Sequence, residues 1–97
     1  MPFTGEEGKA ISPKKAKQLI RNYQHSKRST KIKGGFYGRK VLLKLLRQKD
    51  CVGIRFFFAL NARKEQTIVL VGIRKAGGPI ETLYVDDGPL CPPWCDK

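Results

Sequence analysis

The stretch Cys51–Arg74, CVGIRFFFALNARKEQTIVLVGIR, decides most of what this chain can become. Two runs dense in β-branched and aromatic residues flank a short polar segment, Asn61–Gln66, which is the pattern of an antiparallel hairpin. Side chains alternate across a strand, so Val52, Ile54, Phe56, Phe58 and Leu60 share one face of the first run, with Arg55, Phe57 and Ala59 on the other. In the second run Thr67, Val69, Val71 and Ile73 oppose Ile68 and Leu70. Both faces of the sheet are thus apolar, and two short helices can cover only one. Something else must shield the second face: the N-terminal arm, the Pro-Pro-Trp tail or another subunit.

The rest of the chain is ordered around this hairpin. Ser12-Pro13 marks a helix start, with Ser supplying a capping oxygen and Pro filling the first helical position. Ala16, Leu19, Ile20 and Tyr23 follow at i, i+3, i+4 and i+7, a narrow apolar stripe that predicts a helix over residues 13–26. A second helix carries Val41, Leu42, Leu45 and Leu46 and is expected to end near Lys49-Asp50. Between them KIKGGFYGRK, Lys31–Lys40, reads as a loop. After the hairpin, KAGGP turns the chain into an edge strand over 80–85, and DDGP turns it again into LCPPWCDK.

The order α-α-β-β-β predicts an α+β fold, two helices packed on one face of a three-stranded antiparallel meander. It forms one small domain over residues 1–97: a flexible arm (1–11), a basic helical half (12–50), the β-meander (51–85) and a Cys-Pro tail (86–97). A chain of this length buries roughly 60–65% of its unfolded surface, enough for one modest core. No run of about 18 apolar residues is present, so no membrane span is expected. The first residues, MPFTGEEGKAISP, lack the pattern of a secretory signal, which makes a cytoplasmic protein the expectation.

Charge is distributed unevenly. Of the 20 Lys and Arg behind the net charge of +12, 14 lie in residues 1–49 against only Glu6 and Glu7, whereas residues 50–97 carry six of each sign. A basic front half joined to a neutral, apolar back half points to a polyanionic partner, nucleic acid above all. The expected contacts are Lys14, Lys17, Arg21, Lys31, Lys33, Arg39, Lys40, Lys44 and Arg47. Within KIKGGFYGRK, glycines let a backbone approach phosphate, the N–H groups opening the next helix favour an anion, and Phe36 or Tyr37 could stack on a base. The plain alternative is a connector whose aromatics fold inward. The spacing of a Walker loop is absent, so nucleotide hydrolysis is not indicated.

Three cysteines argue against a closed disulfide framework. Cys51 reads as a small hydrophobe opening a strand. Cys91 and Cys95 in CPPWC could close a tight disulfide, although a reducing compartment opposes it. Tetrahedral zinc needs four ligands and His25 is the one histidine, so no metal and no cofactor are expected. The tail itself, with Leu90, Trp94 and its prolines, is expected to pack back on the sheet over residues 89–95. His25 beside Tyr23, Lys27, Arg28 and Tyr37 suggests a metal-free ribonuclease site, by analogy of architecture alone. Arg55 and Arg74, with Glu81, form another candidate cluster, whose plain reading is a surface ion cluster.

Taken together, the Tyr23 helix, the FYG turn, CVGIRFFFALN, IVLVGIR and the terminal CPPWC make the chain, from Ile11 onward, resemble a group of short, uncharacterised bacterial proteins. Those share a Cys-x-Gly-Ile-Arg strand, a second strand ending in Val-Gly and a Cys-Pro-Pro-x-Cys tail. The resemblance implies no activity. The leading expectation is a small binding module docking nucleic acid on its basic helical half. A homodimer or other assembly through the apolar sheet face comes second, and a ribonuclease-type toxin third.

Overall fold

The computed structural model describes residues 2–27 and 32–91. Helix α1 spans Pro13–Gln24, strand β1 Gly34–Gly35, helix α2 Arg39–Leu46, β2 Cys51–Leu60, β3 Gln66–Arg74, β4 Pro79–Val85 and β5 Leu90–Cys91. The three long strands form an antiparallel sheet in the order β2-β3-β4, the expected meander. Among the described residues no helix is long and apolar enough to cross a membrane.

The hairpin between β2 and β3 is set by Asn61. Its side-chain oxygen accepts from the N–H groups of Arg63 and Glu65, both at 2.9 Å, and its own N–H donates to the Glu65 carbonyl at 2.9 Å. Lys64 completes the reversal with a positive φ of 65°. This turn fixes the register: Phe56 faces Leu70, Phe57 faces Val69, Phe58 faces Ile68 and Ala59 faces Thr67. Opposed residues share a face, so Ile54, Phe56 and Phe58 lie with Ile68, Leu70 and Gly72. Arg55, Phe57 and Ala59 lie with Thr67, Val69 and Val71.

Helix α2 covers the first of these faces. Leu45 is fully buried, and the helix end closes on Gly72, where a Cβ would meet Gln48 Oε1 at 2.8 Å, Cys51 Sγ at 3.0 Å and the Leu45 carbonyl at 3.4 Å. Glycine is what lets the helix terminus come this near. Gln48 Nε2 also donates to Thr82 Oγ1 at 3.1 Å, tying the helix end to β4. Leu70, Val71, Ile73 and Ile80 complete the buried apolar set, and Thr67 is buried with its hydroxyl on Asp86 Oδ1 at 2.6 Å.

Helix α1 behaves differently from the expectation that both helices pack on the sheet. Ser12 caps it as read, Oγ accepting from the Lys15 N–H at 3.1 Å, and His25 closes it two residues earlier than predicted. None of its residues is buried, and Leu19 and Ile20 remain about half exposed. A narrow stripe at helical spacing says which side of a helix is apolar, not that anything lies against it.

The two-stranded β1-β5 ladder had no counterpart in the sequence reading. Gly34 pairs with Cys91 and Gly35 with Leu90. Lys33 N–H donates to the Cys91 carbonyl at 2.6 Å and Phe36 N–H to the Pro89 carbonyl at 2.8 Å. Chain beyond the meander therefore does return, as far as Cys91, but onto the glycine loop. Leu90 and Ile68 both approach Gly35, within 3.4 Å of where its Cβ would stand, which puts this ladder on the helix-bearing face. Trp94 and Cys95 lie outside the described residues. On the opposite face it is the arm that arrives: Phe3 N–H donates to the Lys75 carbonyl at 2.7 Å, and the Arg55 guanidinium stands 5.6 Å from the Phe3 ring centre.

Candidate nucleic-acid interface

The cations of the basic half stand on regular elements. On α1, Lys14, Lys17 and Arg21 fall at i, i+3 and i+7, opposite the Ala16–Leu19–Ile20–Tyr23 stripe, and all three are exposed. On α2, Lys40, Lys44 and Arg47 fall at i, i+4 and i+7 and are exposed, as is Arg39. Among the described residues none of these seven is paired with a carboxylate, the one ion pair being Arg63–Glu65 at 3.5 Å on the hairpin turn. Their charge faces solvent undiminished. Lys33 is exposed next to β1, and Lys31 lies outside the described residues.

The loop before α2 divides its two aromatics. Tyr37 turns inward: its hydroxyl donates to the Ile68 carbonyl, and its ring lies so near Gly88 that a Cβ there would stand 2.7 Å from Tyr37 Cζ and collide with the Phe36 carbonyl. Burial pushes the Tyr37 phenol above its ordinary pKa, helped by the charges of Asp86 and Asp87 and opposed by a backbone hydrogen bond from Gly88. Phe36 turns outward and is 63% exposed. It precedes Gly38, which opens α2 in extended conformation with no side-chain cap and no acidic residue in the first turn. The free N–H groups of that turn, Arg39, Lys40 and an outward aromatic ring thus fall close together in the chain, between Phe36 and the first turn of α2.

A second aromatic surface lies on the sheet. Phe56 is 62% exposed, Phe58 71% and Leu60 69%, although all three project on the face that α2 covers farther along. Helix α2 has only eight residues and reaches the Gly72 end of the sheet, while at the hairpin end the β1-β5 ladder approaches Ile68 and leaves Phe56, Phe58 and Leu60 exposed. Phe58 and Leu60 line a cleft of about 520 Å³ together with Tyr23 from α1, and with Lys33 and Gly34. The sequence predicts that both apolar faces are shielded, one of them by the helices. The signal that could have exposed them is arithmetical: a ten-residue strand outlasts an eight-residue helix at 3.3 Å against 1.5 Å per residue.

The other candidates separate. Of the residues suggested for a ribonuclease site beside His25, Tyr37 is committed to the Ile68 carbonyl and Arg28 lies outside the described residues. Arg55 is turned to Phe3 while Arg74 Nη1 donates to the Pro79 carbonyl at 2.8 Å, and neither is paired with Glu81 among the described residues. Cys51 is a free thiol, its Sγ 3.2 Å from the Gly53 carbonyl. Cys91 is disulfide-bonded, and the expected pairing with Cys95 falls on a residue outside those described. No group of three or more His, Cys, Asp or Glu that could hold a metal occurs among the described residues. No protein-family model, curated protein or solved structure matches the chain.

Proposed function

We propose that this protein is a small nucleic-acid-binding module whose basic helical half docks the phosphate backbone. Lys14, Lys17, Arg21, Lys33, Arg39, Lys40, Lys44 and Arg47 supply the positive charge, together with Lys31. The observation that carries the reading is the loop entering α2, where an outward Phe36 is followed by an uncapped helix start and two cations without carboxylate partners. Phosphate contacts made in this way release counterions, so affinity falls steeply as salt rises. A fluorescence-anisotropy titration with labelled oligonucleotide at about 50 mM salt tests it; undetectable binding of both single and double strands contradicts it.

A second reading, self-association, is favoured by the edge of the sheet. Among the described residues strand β2 pairs with β3 alone, and Phe57 and Tyr84 on the face away from α2 are each 48% exposed. Natural proteins shield such edges because unpaired N–H and C=O groups recruit further strands. Light scattering that finds a strict monomer at high concentration removes this reading.

A further inference from the structure

The cleft at the hairpin end of the sheet, together with the charge around it, narrows the ligand. We infer that the cleft between α1 and the end of β2 receives unpaired bases, so that the ligand is single-stranded nucleic acid stacked on Phe58, with Phe56 extending the aromatic surface beside the cleft. This rests on the nucleic-acid reading above and adds where the bases go.

Three observations carry it. First, Phe56 and Phe58 stand two residues apart on one face, about 6.6 Å along the strand, with ring centroids 6.0 Å apart and planes at 67°. Both rings are largely exposed, so each can present aromatic surface to a base. Second, the cleft is walled by aromatic and aliphatic side chains, Tyr23, Phe58, Leu60 and Ile68, with Lys33 among its lining residues. Its volume of about 520 Å³ falls within the rough range of 300–1,000 Å³ typical of ligand clefts. Third, the charge is of the complementary sign. Lys33 lines the cleft, and Lys64 sits at the tip of the same hairpin beside the Arg63–Glu65 ion pair.

The combination selects among polyanions. Heparin and duplex DNA offer charge but no free base faces, since a duplex keeps its bases stacked inside and presents their edges in the grooves. A single strand offers both, and stacking of successive bases on aromatic side chains beside a basic track is how sequence-tolerant single-strand binding is built. An apolar protein partner would find the aromatic rings but would meet cations at the rim.

The test compares three probes in one salt: a fluorescein-labelled pyrimidine single strand (RNA and DNA versions), a duplex of the same length, and heparin. The wild-type protein is set beside Phe58→Ala and Phe58→Leu, with light scattering on each. Phe58 is exposed, so both variants are expected to fold, and circular dichroism melts verify this. The inference predicts that the single strand binds tighter than the duplex. It also predicts that Phe58→Ala weakens the single strand roughly 5- to 100-fold, that Phe58→Leu, which keeps bulk without a ring, weakens it nearly as much, and that heparin affinity stays unchanged. Equal affinity for single strand and duplex, or an unaffected Phe58→Ala, overturns base stacking while leaving backbone docking intact. Failure of all three probes to bind overturns both. Conversion of a wild-type dimer to a monomer by Phe58→Ala, with nucleic-acid affinity unchanged, marks the surface as a self-interface and likewise overturns the inference.

Discussion

Phe36 and Tyr37, adjacent in the chain, are sent in opposite directions, Tyr37 to the Ile68 carbonyl in the fold and Phe36 into solvent at 63% exposure. The inward residue pins the loop to β3, and the outward one is thereby presented beside Arg39 and Lys40. Replacing Phe36 by alanine should leave the melting temperature nearly unchanged, because little of the ring is buried. It should weaken nucleic-acid binding by about 1–3 kcal/mol if one base stacks there. Calorimetry and anisotropy on the same sample separate the two effects.

Tyr37→Phe tests the anchor. Loss of the hydroxyl leaves the Ile68 carbonyl without this donor and should cost about 1 kcal/mol, read as a lower midpoint in urea. A pH dependence follows as well. Burial, with the charges of Asp86 and Asp87, holds the phenol above its ordinary pKa, so as pH rises the unfolded chain loses this proton first. The associated stabilisation is complete below the ordinary tyrosine value of about 10 and is lost as pH climbs through the raised one. The stability gap between wild type and Tyr37→Phe should therefore shrink in that alkaline window and stay level between about pH 6 and 9.

Gly88→Ala attacks the same junction from the other side. The added methyl would collide with the Phe36 carbonyl and stand 2.7 Å from Tyr37 Cζ, both held by backbone or packed ring and not by a flexible side-chain end. A loss of about 1–3 kcal/mol is expected. Truncation after Gly88 should cost a similar amount, roughly 1–3 kcal/mol, because it removes β5 and with it the partner of Gly34–Gly35 and the Leu90 side chain near Ile68. A truncated chain that melts with the full-length protein would contradict the packing described.

How much of this was legible beforehand differs by element. The β2-β3-β4 meander could be read because runs such as Ile54–Leu60 and Thr67–Ile73 are long, alternating and bounded by turn residues. The β1-β5 ladder could not, since Gly34–Gly35 have no side chains and a two-residue strand has no period. Sequence showed the apolar stripe of α1 but could not show that Leu19 and Ile20 would stay exposed, because coverage is a property of the tertiary arrangement. The candidate cations were legible as charges. The aromatic surface at Phe56, Phe58 and Leu60 was not, since alternation shows which residues share a face but not how far along it a helix reaches.

Lys64 offers a gain in place of a loss. It closes the hairpin with φ at 65°, a conformation that a side chain disfavours by about 1–2 kcal/mol and glycine adopts freely. Lys64→Gly should raise stability by about 0.5–1 kcal/mol, visible as a higher thermal midpoint, provided the Asn61 bonds to Arg63 and Glu65 persist.

The most direct measurement of the central claim is a salt titration of the wild-type protein with a labelled single strand. If about four to six cations of the basic half contact phosphates, log affinity should fall with log salt at a slope of about −3 to −4. Replacing Lys40 and Lys44 together by glutamine should lessen the slope by about one to two. Binding that is absent at low salt, or a slope that the double replacement leaves unaltered, would contradict the assignment of the basic half as a phosphate-docking surface.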